Sequence, residues 1–176
     1  MNEAGLELIR TRRVVRDLTG APVAREQLET ILRAAGHAPS AGNRRLQTFV
    51  VADNPGLVRV LRMVAPGMLQ RPTAVIVVCV DVARAMRFGF APDAKGLYVD
   101  VGTVMQTLLL AAHALELGAG PVTSFSRAAV AAALNLPAGL RPELMVCLGH
   151  PGATQAPPMA SQRARTWRDV THWGRY

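Results

Sequence analysis

Three clusters of side chains are equipped for binding chemistry: Arg12, Arg13 and Arg16; Ser40 and Asn43 followed by Arg44 and Arg45; and Arg163 with Arg165. An arginine guanidinium is a rigid planar fork that donates in pairs to phosphate or carboxylate oxygens. The stretch Ala38-Pro39-Ser40-Ala41-Gly42-Asn43 adds a hydroxyl and a carboxamide on a turn, which can read the polar edges of a larger ligand. Together these groups suit a phosphorylated cofactor, provided the three clusters meet, and spacing alone does not bring them together. The arginines also read as ordinary solvated surface in a chain with nineteen of them and one lysine, Lys95. Nucleic acid fits less well, because the chain has no zinc-finger spacing, no basic stripe interleaved with aromatics and no basic tail.

Other chemistries find little support. No paired carboxylates form a recognisable pattern, and His37, His113, His150 and His172 lack metal-ligand spacing. No serine sits in a nucleophile elbow. Cys79 and Cys147 lie in strongly apolar stretches, as buried thiols in a reducing compartment do. His113 reads as a core or interface residue. Gly118 and Gly120 fit neither a dinucleotide fingerprint nor a P-loop.

The elements that must hold these groups follow from periodicity. A length of 176 residues with 50% apolar and 5% aromatic side chains and a net charge of +8 fits one domain over 1–176. The start, MNEAGLELIR, carries no signal core. The most apolar region, Val99 to Ala119, includes Asp100, Gln106, His113 and Glu116, which argues against a membrane span. The expected location is cytoplasmic. Helices are expected over 3–10, 24–37 (Leu28, Ile31, Leu32 and Ala35 on one face), a short stretch around Leu57–Val64, 83–87, 96–117 and 127–134, the last capped by Ser126. Strands are expected at 47–52, 74–80 and 143–148. Gly118-Ala119-Gly120-Pro121 reads as a break, with another extended piece beginning at Val122. This order is α+β, with helices outnumbering strands.

Four segments in this order resemble the FMN-dependent nitroreductase family: TRRVVRDL at 11–18, RAAGHAPSAGNRRLQTFVV at 33–51, DVGTVMQTLLLAAHALELGAGPV at 100–122, and LNLPAGLRPELMVCLGHP with the later RTWRDVTHW. The resemblance implies a single FMN-binding domain of nitroreductase-like fold. Its central sheet would be mixed or antiparallel and surrounded by helices, one of them long and central. It implies a homodimer with two equivalent sites at the subunit interface. Arg12, Arg13 and Arg16, with Val14 between them, would meet the FMN phosphate and the polar edge of the ring, and Arg163 or Arg165 would complete the phosphate grip. Pro39, Ser40 and Asn43 would come from a turn reaching the flavin across the interface, with Arg45 and Gln47 following. The backbone of Gly120, Pro121 and Val122 would lie beside the ring. Val14 stands where the family usually has serine, Leu18 where it has phenylalanine, and Arg45-Leu46-Gln47 where it has glutamine-proline-tryptophan.

The function this implies is hydride transfer from NADH or NADPH, through flavin N5, to a nitro, quinone or related small-molecule electron acceptor. With the flavin carrying the redox chemistry, no protein nucleophile or base is required. Two alternatives stay open at this point. One is a dehydrogenase or oxidase that tailors a natural product or peptide; the other is a flavin-binding or storage protein without turnover.

Overall fold

The computed structural model describes residues 3–153 and 166–175. In chain order the elements are α1 (Glu3–Thr11), α2 (Arg25–Ala35), β1 (Gln47–Ala52), α3 (Pro55–Met63), β2 (Ala74–Asp81), α4 (Val82–Arg87), α5 (Lys95–Ala114), β3 (Gly118–Val122), α6 (Arg127–Ala133) and β4 (Leu140–Gly149). Short 3-10 turns occur at Ala41–Asn43 and Trp167–Val170. Local chemistry sets several boundaries. Asn54 Oδ1 accepts from the Leu57 N–H at 2.8 Å, and Pro55 sits in the first turn of α3, where its missing N–H costs nothing. Asp81 caps α4 in the same way, accepting from the Arg84 N–H at 2.8 Å. Ser126 caps α6 as the sequence suggests, through the Ala129 N–H at 3.3 Å.

The four strands form an antiparallel sheet in the order β1-β2-β4-β3. β2 is a continuous apolar run because both of its faces are covered. Ile76, Val78, Val80, Val146 and Leu148 face α2 and α5, meeting Leu28, Ile31, Leu97 and Leu108. Val75, Val77, Cys79, Met145 and Cys147 face the other way, against Val58 and Leu61 of α3 and Val130 of α6. Alternation along each central strand thus divides the core into two layers.

By length and composition α5 is apolar enough to cross a membrane. In this fold Leu97, Asp100, Val101, Val104, Leu108, Leu109 and Ala112 make a buried face, while Val99 on the opposite side is 64% exposed. The helix is therefore two-sided, rather than enclosed all round.

Two expectations need correction. The long helix stops at Ala114, short of Leu117, because Glu116 turns the chain with a φ of 57°. The Gly-Ala-Gly-Pro stretch is itself strand β3, paired with Gly149–Met145 of β4. Its glycines serve close approach, not a break. A Cβ at Gly118 would stand 2.6 Å from Leu18 Cδ2, and one at Gly120 would stand 3.1 Å from Gln70 Nε2.

Candidate functional site

What crowds β3 is the arginine-bearing segment itself. After α1 the chain runs along the outer edge of β3, and the Val15 N–H donates to the Ala119 carbonyl at 3.0 Å. Further on, Leu18 bridges to Pro151 and packs over Gly118 and Gly149. This sets Val14 and Val15 against Gly120, where a Cβ would stand 3.5 Å from Val14 Cγ1 and 3.3 Å from the Val15 carbonyl oxygen. The three arginines are not equivalent. Arg13 Nη1 donates to the carbonyls of Arg10 (2.7 Å) and Arg12 (2.9 Å), closing the C-terminal end of α1. Arg12 is half-buried, and its Nη1 is shut off from solvent with no hydrogen-bond partner among the described residues. Arg16 is exposed. A desolvated guanidinium N–H without an acceptor costs free energy until an anion reaches it.

Gln70, which periodicity does not single out, joins this group. It is 3% exposed, its Nε2 donates to the Gly120 carbonyl at 3.4 Å, and its Oε1 has no partner among the described residues. The available signal is a polar residue four positions before the apolar run of β2, and it reads equally well as loop punctuation after Pro66-Gly67. Behind Gln70, burial pushes the Cys147 thiol up to about 12, against the lowering effect of a hydrogen bond from Gln70. Cys79 is raised to about 11, by burial first and by the charge of Glu143 second. Both thiols stay protonated at neutral pH and are poor nucleophiles.

The turn at 39–45 is built from its own polar atoms and two residues of α5. Thr103 Oγ1 donates to the Pro39 carbonyl at 2.8 Å. Buried Asp100 accepts from the Ala41 N–H through both oxygens, at 3.0 and 3.1 Å. Ser40 Oγ accepts from the Arg45 N–H at 3.1 Å. The chain passes through left-handed φ at Gly42 (56°), Asn43 (53°) and Arg45 (48°), which turns it sharply and leaves Asn43 and Arg45 exposed. The Arg44 guanidinium lies 4.4 Å from the centroid of the Phe88 ring. Leu46, in place of proline, is a core residue at 1% exposure. Gln47 begins β1 with its Nε2 buried and unpartnered among the described residues.

These groups form two separate assemblies within one chain. The turn is fastened to Asp100 and Thr103 near the start of α5. Thr11, next to the arginine segment, is fastened near its end, with Thr11 Oγ1 and His113 Nε2 3.0 Å apart. Ten to thirteen helical residues at 1.5 Å each set the two attachment points roughly 15–20 Å apart. Gln47 is likewise on β1, the sheet edge opposite β3. Arg163 and Arg165 lie outside the described residues. Among the described residues no group of three or more His, Cys, Asp and Glu is placed to hold a metal ion. What the arrangement offers is binding and orientation: unpaired donors on Arg12 and Gln47, an unpaired acceptor on Gln70, and exposed guanidinium charge at Arg16.

Comparison with known proteins gives a consistent picture. The sequence model of the Nitroreductase family matches residues 9–85 and 62–150. A protein of Archaeoglobus fulgidus, provisionally named an NADH dehydrogenase/NAD(P)H nitroreductase, is 31% identical over 155 residues, covering 85% of this chain and 86% of its own. One of the same provisional name from Methanothermobacter thermautotrophicus is 34% identical over 116 residues, 65% of this chain and 58% of its own length. A crystal structure from Bacteroides thetaiotaomicron, again of that provisional name, superposes with a TM-score of 0.81 at 26% identity over the whole of both chains.

Proposed function

Since this chain belongs to the nitroreductase family, we propose that it binds FMN and passes hydride from NADH or NADPH to a nitro, quinone or related electrophilic acceptor. The observation that carries the reading is the buried Arg12 Nη1, without a partner among the described residues, in the segment whose Val15 N–H pairs with β3. The donor set fits FMN. Arg12 and Gln47 have N–H groups lacking acceptors, which phosphate and ring carbonyl oxygens would supply. Gln70 has a carbonyl lacking a donor, which the ring N–H would supply.

Each residue then has a binding or orienting task. Arg12 takes the phosphate through charge-assisted hydrogen bonds, and Arg16 sets positive charge at the polar edge of the ring. Gln70 and the backbone of Gly120, Pro121 and Val122 fix the ring's orientation. Asp100 and Thr103 hold the turn so that Ser40 and Asn43 reach the same cofactor. When bound, FMN supplies the hydride-accepting and hydride-donating chemistry.

We further propose that the working unit is a homodimer with two equivalent sites, each taking the arginine segment from one chain and the turn from the other. Three features support this: the two assemblies sit far apart along α5, α1 leaves Leu6 62% and Ile9 56% exposed, and α5 exposes Val99. Mixing two weakened variants provides the test. Arg12→Ala and Asp100→Ala homodimers are each weakened at both sites, and are assayed at FMN concentrations too low to fill them. Subunit exchange between them should regenerate one intact site per heterodimer and recover FMN binding and NAD(P)H oxidation. No recovery under proven subunit exchange would place the whole site within one chain.

A further inference from the structure

A cavity of about 410 Å³ lies between α3, the segment around Gly20–Pro22 and the residues leading into β2. We propose that it is a second ligand site, taking a phosphate monoester carried on a body of nucleotide size. Arg59 and Arg62 line it from α3, where three-residue spacing sets them on one face, and Arg71 lines it from the segment before β2. All three are exposed, and none of their guanidinium groups makes an ion pair, hydrogen bond or ring contact among the described residues. The one carboxylate among the described residues lining this cavity, Asp53, is engaged by Arg25 at 2.8 Å, and the Thr73 hydroxyl donates to the Ala21 carbonyl at 3.1 Å. Three like charges from two elements therefore face one space with little internal neutralisation, which an incoming dianion relieves.

The walls define the rest of the ligand. Pro22, Val58 and Pro72 give the cavity apolar sides, and Val58 and Pro72 are themselves buried. Small-molecule sites run to about 300–1,000 Å³. A free phosphate would leave most of this one unfilled, while a sugar or ring would occupy the apolar part. No residue of this cavity belongs to the arginine segment at 12–16 or to the turn at 39–45. α3 packs on the opposite face of the sheet from α2 and α5. Arg71 does follow Gln70, but the Gln70 side chain turns to the Gly120 carbonyl. The proposal does not depend on which acceptor the flavin site serves.

The test uses FMN-saturated protein, so that the cofactor site is filled, and measures binding of adenosine 5′-monophosphate by calorimetry. Adenosine, ribose 5-phosphate and inorganic phosphate serve as comparison probes. Saturable binding of the nucleotide is expected, weakening with added salt, with adenosine failing to bind and inorganic phosphate binding more weakly. An Arg62→Gln/Arg71→Gln double variant, changed at exposed positions only, should keep its FMN content and melting temperature and lose at least about tenfold in affinity for the nucleotide. The proposal is overturned by absence of saturable binding, by equal binding in the double variant, or by nucleotide binding that releases FMN. Inorganic phosphate binding as tightly as the nucleotide would overturn the nucleotide-sized body.

Discussion

Arg12 and Arg13 are sequence neighbours with different tasks, and the difference is measurable. Arg13 spends its Nη1 on two carbonyls at the end of α1, while Arg12 keeps a desolvated Nη1 with no acceptor among the described residues. Arg12→Ala should weaken FMN binding by about 2 kcal/mol, the size of a charge-assisted contact. Arg13→Ala should leave FMN affinity nearly intact and cost about 0.5 kcal/mol of stability through the last turn of α1. Fluorescence titration of FMN alongside thermal melts separates the two, and the reverse pattern would exchange their assignments. From sequence the pair looked alike, because the hydrogen bonds that distinguish them depend on where α1 ends. Gln70 was hidden for a related reason: its importance comes from contact with Gly120, fifty positions away.

At the scale of elements, periodicity revealed what depends on local pattern and missed what depends on pairing. β1 has the bounds expected of it, and β2 extends only one residue beyond expectation, since a run of β-branched residues specifies a buried strand. β3 was misread because glycine and proline ordinarily interrupt structure. Here the segment after α1 crosses so closely that larger residues would clash, and pairing with β4 makes the stretch a strand. The turn at 39–45 was visible as a candidate binding loop, but its fastening to Asp100 across 59 residues was not. Asp100 looked like a polar interruption in an apolar helix. Asp100→Ala should cost about 1–3 kcal/mol of stability by leaving the Ala41 N–H unpaired. It should also lower FMN affinity while α5 keeps its helicity. Paired titration and circular dichroism check this; unchanged FMN affinity would mean that the turn does not contribute to the site.

For the whole molecule, the two buried thiols make stability depend on alkaline pH. In the unfolded chain both ionise near the ordinary thiol value, 9.0, whereas in the fold they are held up at about 11 and about 12. The fold thus keeps protons that the unfolded chain releases. The resulting stabilisation is fully present below pH 9 and is lost as pH rises towards 11–12. Melting temperature followed from pH 7 upward should fall beyond pH 9, and Cys79→Ala should shallow that fall while leaving flavin chemistry intact. Loss of activity in a folded Cys79 variant would contradict its reading as a core residue. Two assemblies held apart on one chain, on a family fold that supplies the frame, make the central claim one of cofactor and reductant together. The most direct measurement is an anaerobic absorbance scan of the FMN-loaded protein before and after adding NADH, then NADPH. Bleaching of the visible flavin band by either nucleotide is the expected result. A band that persists with both would contradict NAD(P)H-driven reduction.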